Sequence, residues 1–532
     1  MSRKPLTALG LLLAAPLAGV SAIEGAWFVA AQQAQAKGVE IGARQGNPFS
    51  RTWTDLTREP VHVDRLEWSL SKPTQLQLSG VEIRIQTPDS GTPSAPSDQS
   101  LAPPQLPSWV TLNIQDLALI LDGEQVGERL SGTWTPTLAS LSAADGTQVL
   151  LPGPTGQDML VVTGLSIPLD GLSGWLEVTA TQAGERLSMD LRSENLVAEH
   201  PNLSKRPLSL PLLTASISGT LASKQADGSF VLGGMTGTLH ADCTQDCVVR
   251  VVVPDQPAAQ VLSVVAPLVP ELQRATVLGL LGGELTLNQD GSWVLDPHIG
   301  QLEVHGAVPD LGSLRRGRFR YRVRKADGSE STRTSGEGSR GWVPLRQVSP
   351  HLRAAVLAAE DSAFTSHNGI DPQNIRDALA DNQEAGTVVR GGSTLTQQLA
   401  KNLFLDGERT MERKLREALL AVELDRELGK DRVLELYVNI VEWGPDVWGI
   451  GPASDLYFLR DASNLPPNEA AFLAALLPSP KRYYKSWYLG GRERRGTVQR
   501  ILDNMYYGGA LSKDDAKKWG KAPLRPIPPP GD

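Results

Sequence analysis

Ser349-Pro350-His351-Leu352-Arg353-Ala354-Ala355-Val356-Leu357-Ala358-Ala359-Glu360-Asp361 is where the chain changes period. Upstream, apolar residues alternate; from Ser349 onward they return at helical spacing. Ser349 offers a side-chain acceptor at an N-cap, and Pro350 suits a first turn. Leu352, Val356 and Ala359 then form one stripe. The same spacing predicts helices over about 393–404, 410–428, 431–441 and 467–477, and one or two more within 484–519. The Pro-rich stretch 523–532 is expected to be disordered.

Working back from Ser349, residues 40–330 read as a β-rich region with Gly, Ser, Asp and Pro between short alternating runs. One spacing recurs. Leu76, Leu78, Val81, Ile83 and Ile85 make the first set, and Leu112, Ile114, Leu117, Leu119 and Leu121 the second. Leu160, Val162, Leu165, Ile167 and Leu169 make a third, and Leu208, Leu210, Leu213, Ala215 and Ile217 a fourth. Each set holds a step of three, which flips side-chain parity, so the strand must bulge or restart there. The sets suggest a repeated strand unit in a long antiparallel sheet, although chance alternation in a β-rich region would look similar. Residues 87–108 carry six prolines, which no ladder accepts, and read as a surface loop. Cys243 and Cys247 suit a short local disulfide; with His240 nearby they also form a weak, three-ligand metal pattern.

Composition and the N-terminus bound the class. With 40% apolar and 21% charged residues the chain is an ordinary globular one, and its net charge of −8 advertises no nucleic-acid partner. Arg3-Lys4 precedes an uncharged run from Pro5 to Ile23. As a helix that run spans about 28 Å, enough to cross a bilayer core with the two cations left inside. Residues 1–31 are thus a signal-anchor or a cleaved signal peptide; Val20-Ser21-Ala22 suits cleavage, while Trp27 and Phe28 suit an interfacial belt. Either way the body is exported; the anchor reading, which is preferred, places the protein at the cytoplasmic membrane, single-pass, with its bulk on the periplasmic side. The whole reads as an α+β multidomain chain.

The chemistry lies after residue 349. Glu360-Asp361 closes the first helix, where the negative dipole end raises a carboxyl pKa toward that of a general base; a solvated acidic pair before a turn is the plainer reading. Next, Gly391-Gly392-Ser393-Thr394 opens a helix carrying Gln397, Gln398, Lys401 and Asn402. Such an opening can hold an anion, or can be an ordinary capped helix. Arg409, Arg413, Lys414, Arg416 and Glu417 then cluster. They make either surface ion pairs or a cationic cradle for pyrophosphate around a second carboxylate.

In order, these blocks resemble glycosyltransferase family 51, the peptidoglycan glycosyltransferases. The resemblance runs from about Trp342 to Tyr484. It rests on Glu360-Asp361-x-x-Phe364-x-x-His367-x-Gly369-x-Asp371, on Gly391–Asn402, and on Arg413-Lys414-x-x-Glu417-Ala418. Leu434-Glu435-x-Tyr437-Val438-Asn439 with Glu442-Trp443-Gly444, and Glu469 to Pro478, complete the five motifs. Gly451-Pro452 departs from the family pattern, as does the lack of Gly-Lys after Tyr457-Phe458. The resemblance implies a mostly α, lysozyme-like transferase domain over 335–522. It implies polymerisation of lipid II into β-1,4-linked glycan with release of undecaprenyl pyrophosphate. Glu360 then matches the general base and Glu417 the second carboxylate. Asp361, Phe364, His367, Ser393, Thr394, Gln397, Gln398, Lys401, Asn402, Arg409, Arg413 and Lys414 match substrate-binding positions. Mg²⁺ or another divalent cation is an expected helper. Expected partners are lipid II, the nascent glycan strand, the cytoplasmic membrane and cell-wall synthesis proteins. About 48 residues follow Tyr484, too few for a transpeptidase domain. Two other readings stay open: a degenerate transferase scaffold with the β-rich region as an envelope binding module, and a glycan-cleaving enzyme of the same fold.

Overall fold

The computed structural model describes residues 40–527 apart from short internal stretches, among them 86–110, 385–390 and 406–409. The expected membrane segment lies outside the described residues. Among those described, no helix is long and apolar enough to cross a membrane. The chain forms two compact units. The first takes in the chain through Glu199, Pro207–Val253 and Leu285–Trp293; the second takes in His200–Arg206, Pro254–Glu284 and Val294–Asp532.

The first unit is built on one long sheet. Strands β1 (Glu40–Asn47), β2 (Ser50–Arg58), β3 (Val61–Ser69), β4 (Gln75–Ile85), β5 (Thr111–Leu121), β6 (Glu124–Trp134), β7 (Leu138–Ser142), β8 (Gln148–Pro152) and β9 (Asp158–Ser166) lie side by side in chain order. All neighbours are antiparallel except β4 and β5, which pair in parallel. The expected all-antiparallel sheet is corrected there. A parallel neighbour needs a crossover, and the 86–110 connection, outside the described residues, is long enough to supply one.

The repeat in the sequence is the register of that pair. Leu76 sits opposite Leu112, Leu78 opposite Ile114 and Ile83 opposite Leu119. At each step of three one residue turns left-handed, Gly80 at φ +62° between Leu78 and Val81 and Asp116 at φ +56° between Ile114 and Leu117; β4 keeps its register with β3 and β5 across Gly80, whereas β5 shifts register against β6 across Asp116. The left-handed residue restores parity, so Leu76, Leu78 and Val81 are all fully buried, and Leu112, Ile114 and Leu117 nearly so. The third set shifts register between Leu176 and Val178 of the strand facing β9. In the fourth the chain restarts: Leu208–Ser209 belongs to a small separate sheet and Leu213–Thr220 to the long one. Cys243 and Cys247 form the disulfide, and His240 pairs with Asp227 at 2.7 Å, which removes the metal pattern.

The second unit carries the helices. They are α1 (Pro350–Glu360), α2 (Pro372–Glu384), α3 (Leu395–Phe404), α4 (Met411–Ile440), α5 (Ile450–Phe458), α6 (Pro467–Leu476), α7 (Arg495–Tyr507) and α8 (Lys513–Lys521). Ser349 caps α1 by accepting from His351 N, and donates to Leu465 O at 2.8 Å. Helix α6 is apolar all round and is the core against which α1 and α7 pack. Gly429, at φ +73°, breaks α4 into the two helical runs that the spacing implies. The spacing does not show α2, because its sequence is polar on most sides. Within the stretch expected to be disordered, Ile527 N donates to Tyr457 O at 2.8 Å, which ties that residue to α5.

Gly80→Ala places a methyl in a left-handed position, where its Cβ would meet the Asp64 carboxylate. It should cost about 1–2 kcal/mol. Asp116→Gly, at the matching step, should change stability by no more than about 0.5 kcal/mol. Urea unfolding of both variants checks the contrast.

Candidate active site

The site is assembled around the end of α1. Asp361 follows its last turn and is buried. Its Oδ2 accepts from Leu395 N at 2.8 Å, the first residue of α3, and lies 3.0 Å from His367 Nε2. A carboxylate at a helix N-terminus is favoured by the dipole as well as by the bond. Thr394 caps α3 in a capping box with Gln397, and its hydroxyl donates to Gly369 O at 2.6 Å. Gly369 holds φ +88° and lies against the backbone of Ala421 on α4, where a Cβ would clash. The α1 end, the 361–371 loop, α3 and α4 are thereby locked together.

That lock presents Glu360 to α3. Gln398 Nε2 donates to Glu360 Oε2 at 2.7 Å, and Tyr437 OH donates to Gln398 Oε1 at 3.0 Å, fixing the amide. Glu360 Oε1 is buried and accepts no hydrogen bond from the protein. Burial raises the Glu360 pKa; the Gln398 bond and the Lys401 charge oppose the rise, and Asp361 adds to it. The largest cause is desolvation.

The second carboxylate is on α4. Glu417 is buried and is paired with Arg413 through one oxygen and with Lys414 through the other, at 2.9 Å. Lys414 Nζ also donates to Ser393 Oγ, which joins α4 to the loop before α3. Burial lowers the Lys414 pKa to about 8, helped by the charges of Arg413 and Lys401. Lys401, one turn beyond Gln398, thus acts electrostatically on both Glu360 and Lys414.

Not every expected substrate contact lines this site. Asp361, Phe364 and His367 are buried, and Thr394 and Gln397 are committed to the cap. They hold the site from behind, because their polar groups are already satisfied by protein and Phe364 packs under Lys430. Ser393, Gln398, Lys401, Arg413 and Lys414 are gathered with the two glutamates. Asn402 is half-buried on α3, on the same side as Gln398, and Arg409 lies outside the described residues. Tyr437 was readable only as part of a motif. Lys430 was not singled out at all, yet it bonds His367 O and Asp425, which in turn accepts from Thr396. A resident divalent cation does not fit these residues. Both Glu417 oxygens are taken by cations, and no group of three or more His, Cys, Asp or Glu among the described residues could hold one.

A desolvated carboxylate with one free oxygen, set beside a second carboxylate locked among cations, defines a site for displacing an anionic leaving group. The transglycosylase family model matches residues 327–506. Proteins named biosynthetic peptidoglycan transglycosylase are similar to the same part of the chain. The one from Aromatoleum aromaticum is 45% identical over 166 residues, 31% of this chain and 71% of that protein. The one from Shewanella amazonensis is 53% identical over 142 residues, 27% and 58% respectively. That from Thiobacillus denitrificans is 40% identical over 171 residues, 32% and 72%. The chain belongs to the transglycosylase family.

Asp361→Ala leaves His367 Nε2 and Leu395 N without their buried acceptor and should cost about 3 kcal/mol. Asp361→Asn, which keeps one acceptor oxygen, should cost less. Denaturant unfolding measures both; lost turnover at unchanged stability would instead place Asp361 on the substrate.

Proposed function

We propose that this chain is a peptidoglycan glycosyltransferase that polymerises lipid II into β-1,4-linked glycan strands and releases undecaprenyl pyrophosphate. The observation that carries this reading is the split between the two carboxylates. Glu360 is desolvated and keeps an oxygen free, whereas Glu417 is neutralised by Arg413 and Lys414. Between them, Gln398 and Lys401 of α3 act on Glu360, and Lys401 also acts on Lys414 beside Glu417.

In this mechanism Glu360 Oε1 takes the proton of the acceptor 4-hydroxyl as that oxygen attacks the anomeric carbon of the donor. The bond to pyrophosphate breaks from the opposite face, so the configuration inverts. Gln398 keeps the Glu360 carboxylate oriented without protonating it. Negative charge grows on the leaving pyrophosphate, and Lys401, Arg413, Lys414 and the Ser393 hydroxyl are the groups that can receive it. Glu417 holds the two α4 cations in place. The protein is proposed to act on the periplasmic side, anchored by residues 1–31, where a membrane-bound substrate is within reach. Proteins of cell-wall synthesis are its proposed partners.

Full-length protein given lipid II should produce polymer. Glu360→Gln should lower turnover about a hundredfold; turnover within threefold of the parent would remove Glu360 from the base role. The pH profile should be bell-shaped. Activity falls at low pH as Glu360 takes up a proton at its raised pKa, and at high pH as Lys414 loses one near 8. Lys401 stabilises ionised Glu360 and disfavours charged Lys414. Lys401→Gln should therefore move both limbs to higher pH as well as lowering the plateau.

A further inference from the structure

Helix α4 has two working faces. At about 100° per residue, Arg413, Lys414 and Glu417 fall on one side, while Glu412, Arg416, Glu423, Arg426 and Glu427 fall on the other. The second side is occupied by chain that precedes the transferase motifs. Met411 N and Glu412 N, two of the donors left over at the helix start, bond Asn202 O at 2.8 Å and Leu203 O at 2.9 Å. Glu412 accepts from Ser204 Oγ at 2.6 Å and from Arg206 at 3.0 Å, and Arg206 also bonds Leu268 O. Arg416 meets Glu271 with both carboxylate oxygens, Nε at 2.9 and 3.1 Å and Nη2 at 3.0 Å. Further along, Glu423 accepts from Gly306 N and Val308 N.

Glu271 is 3% exposed. Burying a carboxylate for stability alone is a poor exchange, since apolar packing of similar volume often does as well or better. What the forked pair supplies is orientation, because two parallel bonds fix both the rotation and the slide of the helix. A rotation of about 20° moves atoms on a helix surface, roughly 5–6 Å from its axis, by about 2 Å. A displacement of about half that size can cost up to a hundredfold in rate.

We propose that Glu271 is a positioning residue for glycosyl transfer. With residues 202–206 it forms a clasp that sets the first turns of α4, and so places Arg413, Lys414 and Glu417 for the pyrophosphate. The inference rests on the transfer reaction proposed above; the hydrogen-exchange arm of its test does not. Full-length Glu271→Ala, Arg416→Ala and the double variant are compared with the parent in lipid II polymerisation at room temperature and in amide hydrogen exchange. Glu271→Ala should lower kcat about tenfold with KM within about twofold. Amides of 411–418 should exchange faster while those of 431–440 stay as in the parent. The double variant should be no worse than either single one, because one pair is being removed. Glu271→Gln keeps the shape and part of the bonding. It should lose only about threefold, and serves in place of Glu271→Ala if that variant does not fold. The idea is overturned by folded variants with kcat within twofold of the parent, by unchanged exchange at 411–418, or by losses that multiply in the double variant. A parent chain that makes no polymer would sink the proposed function, and the exchange measurement would still decide the clasp.

Discussion

The Asp361 carboxylate is the joint on which the site depends. It is bonded to His367 within its own loop and to Leu395 N at the start of α3. Glu360 is the residue before it, so wherever Asp361 is held, Glu360 is delivered to the same helix one turn further along, at Gln398. The cost of burying Asp361 is met by a helix N-terminus and a histidine; the cost of burying Glu360 is met by a single amide bond and stays partly unmet. That difference between neighbours in sequence separates a strut from the group proposed as the base.

The same logic runs through α4. Glu417 is compensated by two cations and Glu271 by one guanidinium, each through both carboxylate oxygens, whereas Glu360 Oε1 accepts no hydrogen bond from the protein. These three glutamates thus have three electrostatic settings. The Lys401 charge acts on two of the charged groups, Glu360 and Lys414.

Much of this was legible in the residues. The helical period from Ser349, the break between 428 and 431, the motif order and the irregular steps of three all have local causes, and local causes leave patterns in sequence. The roles of Asp361, His367, Thr394 and Gln397 were not separable from substrate binding, because a buried polar residue and a ligand-facing one look alike until burial is known. Helix α2 was hidden by its polar surface, and the parallel pairing of β4 with β5 by the fact that alternation carries no strand direction. The Glu271–Arg416 pair joins positions 145 residues apart in the chain, beyond what any spacing could show.

The pairing of β4 with β5 also bears on how such a sheet comes to exist. Adjacent strands share one burial pattern, one register and one left-handed residue at the same step. A copied segment inserted beside its template would find its hydrogen-bonding partner and its core already specified. A connecting loop of free length would absorb whatever the duplication left over. Under that rule the reach of the sheet is a quantity that descent can change by whole units, with no new core to invent at each addition.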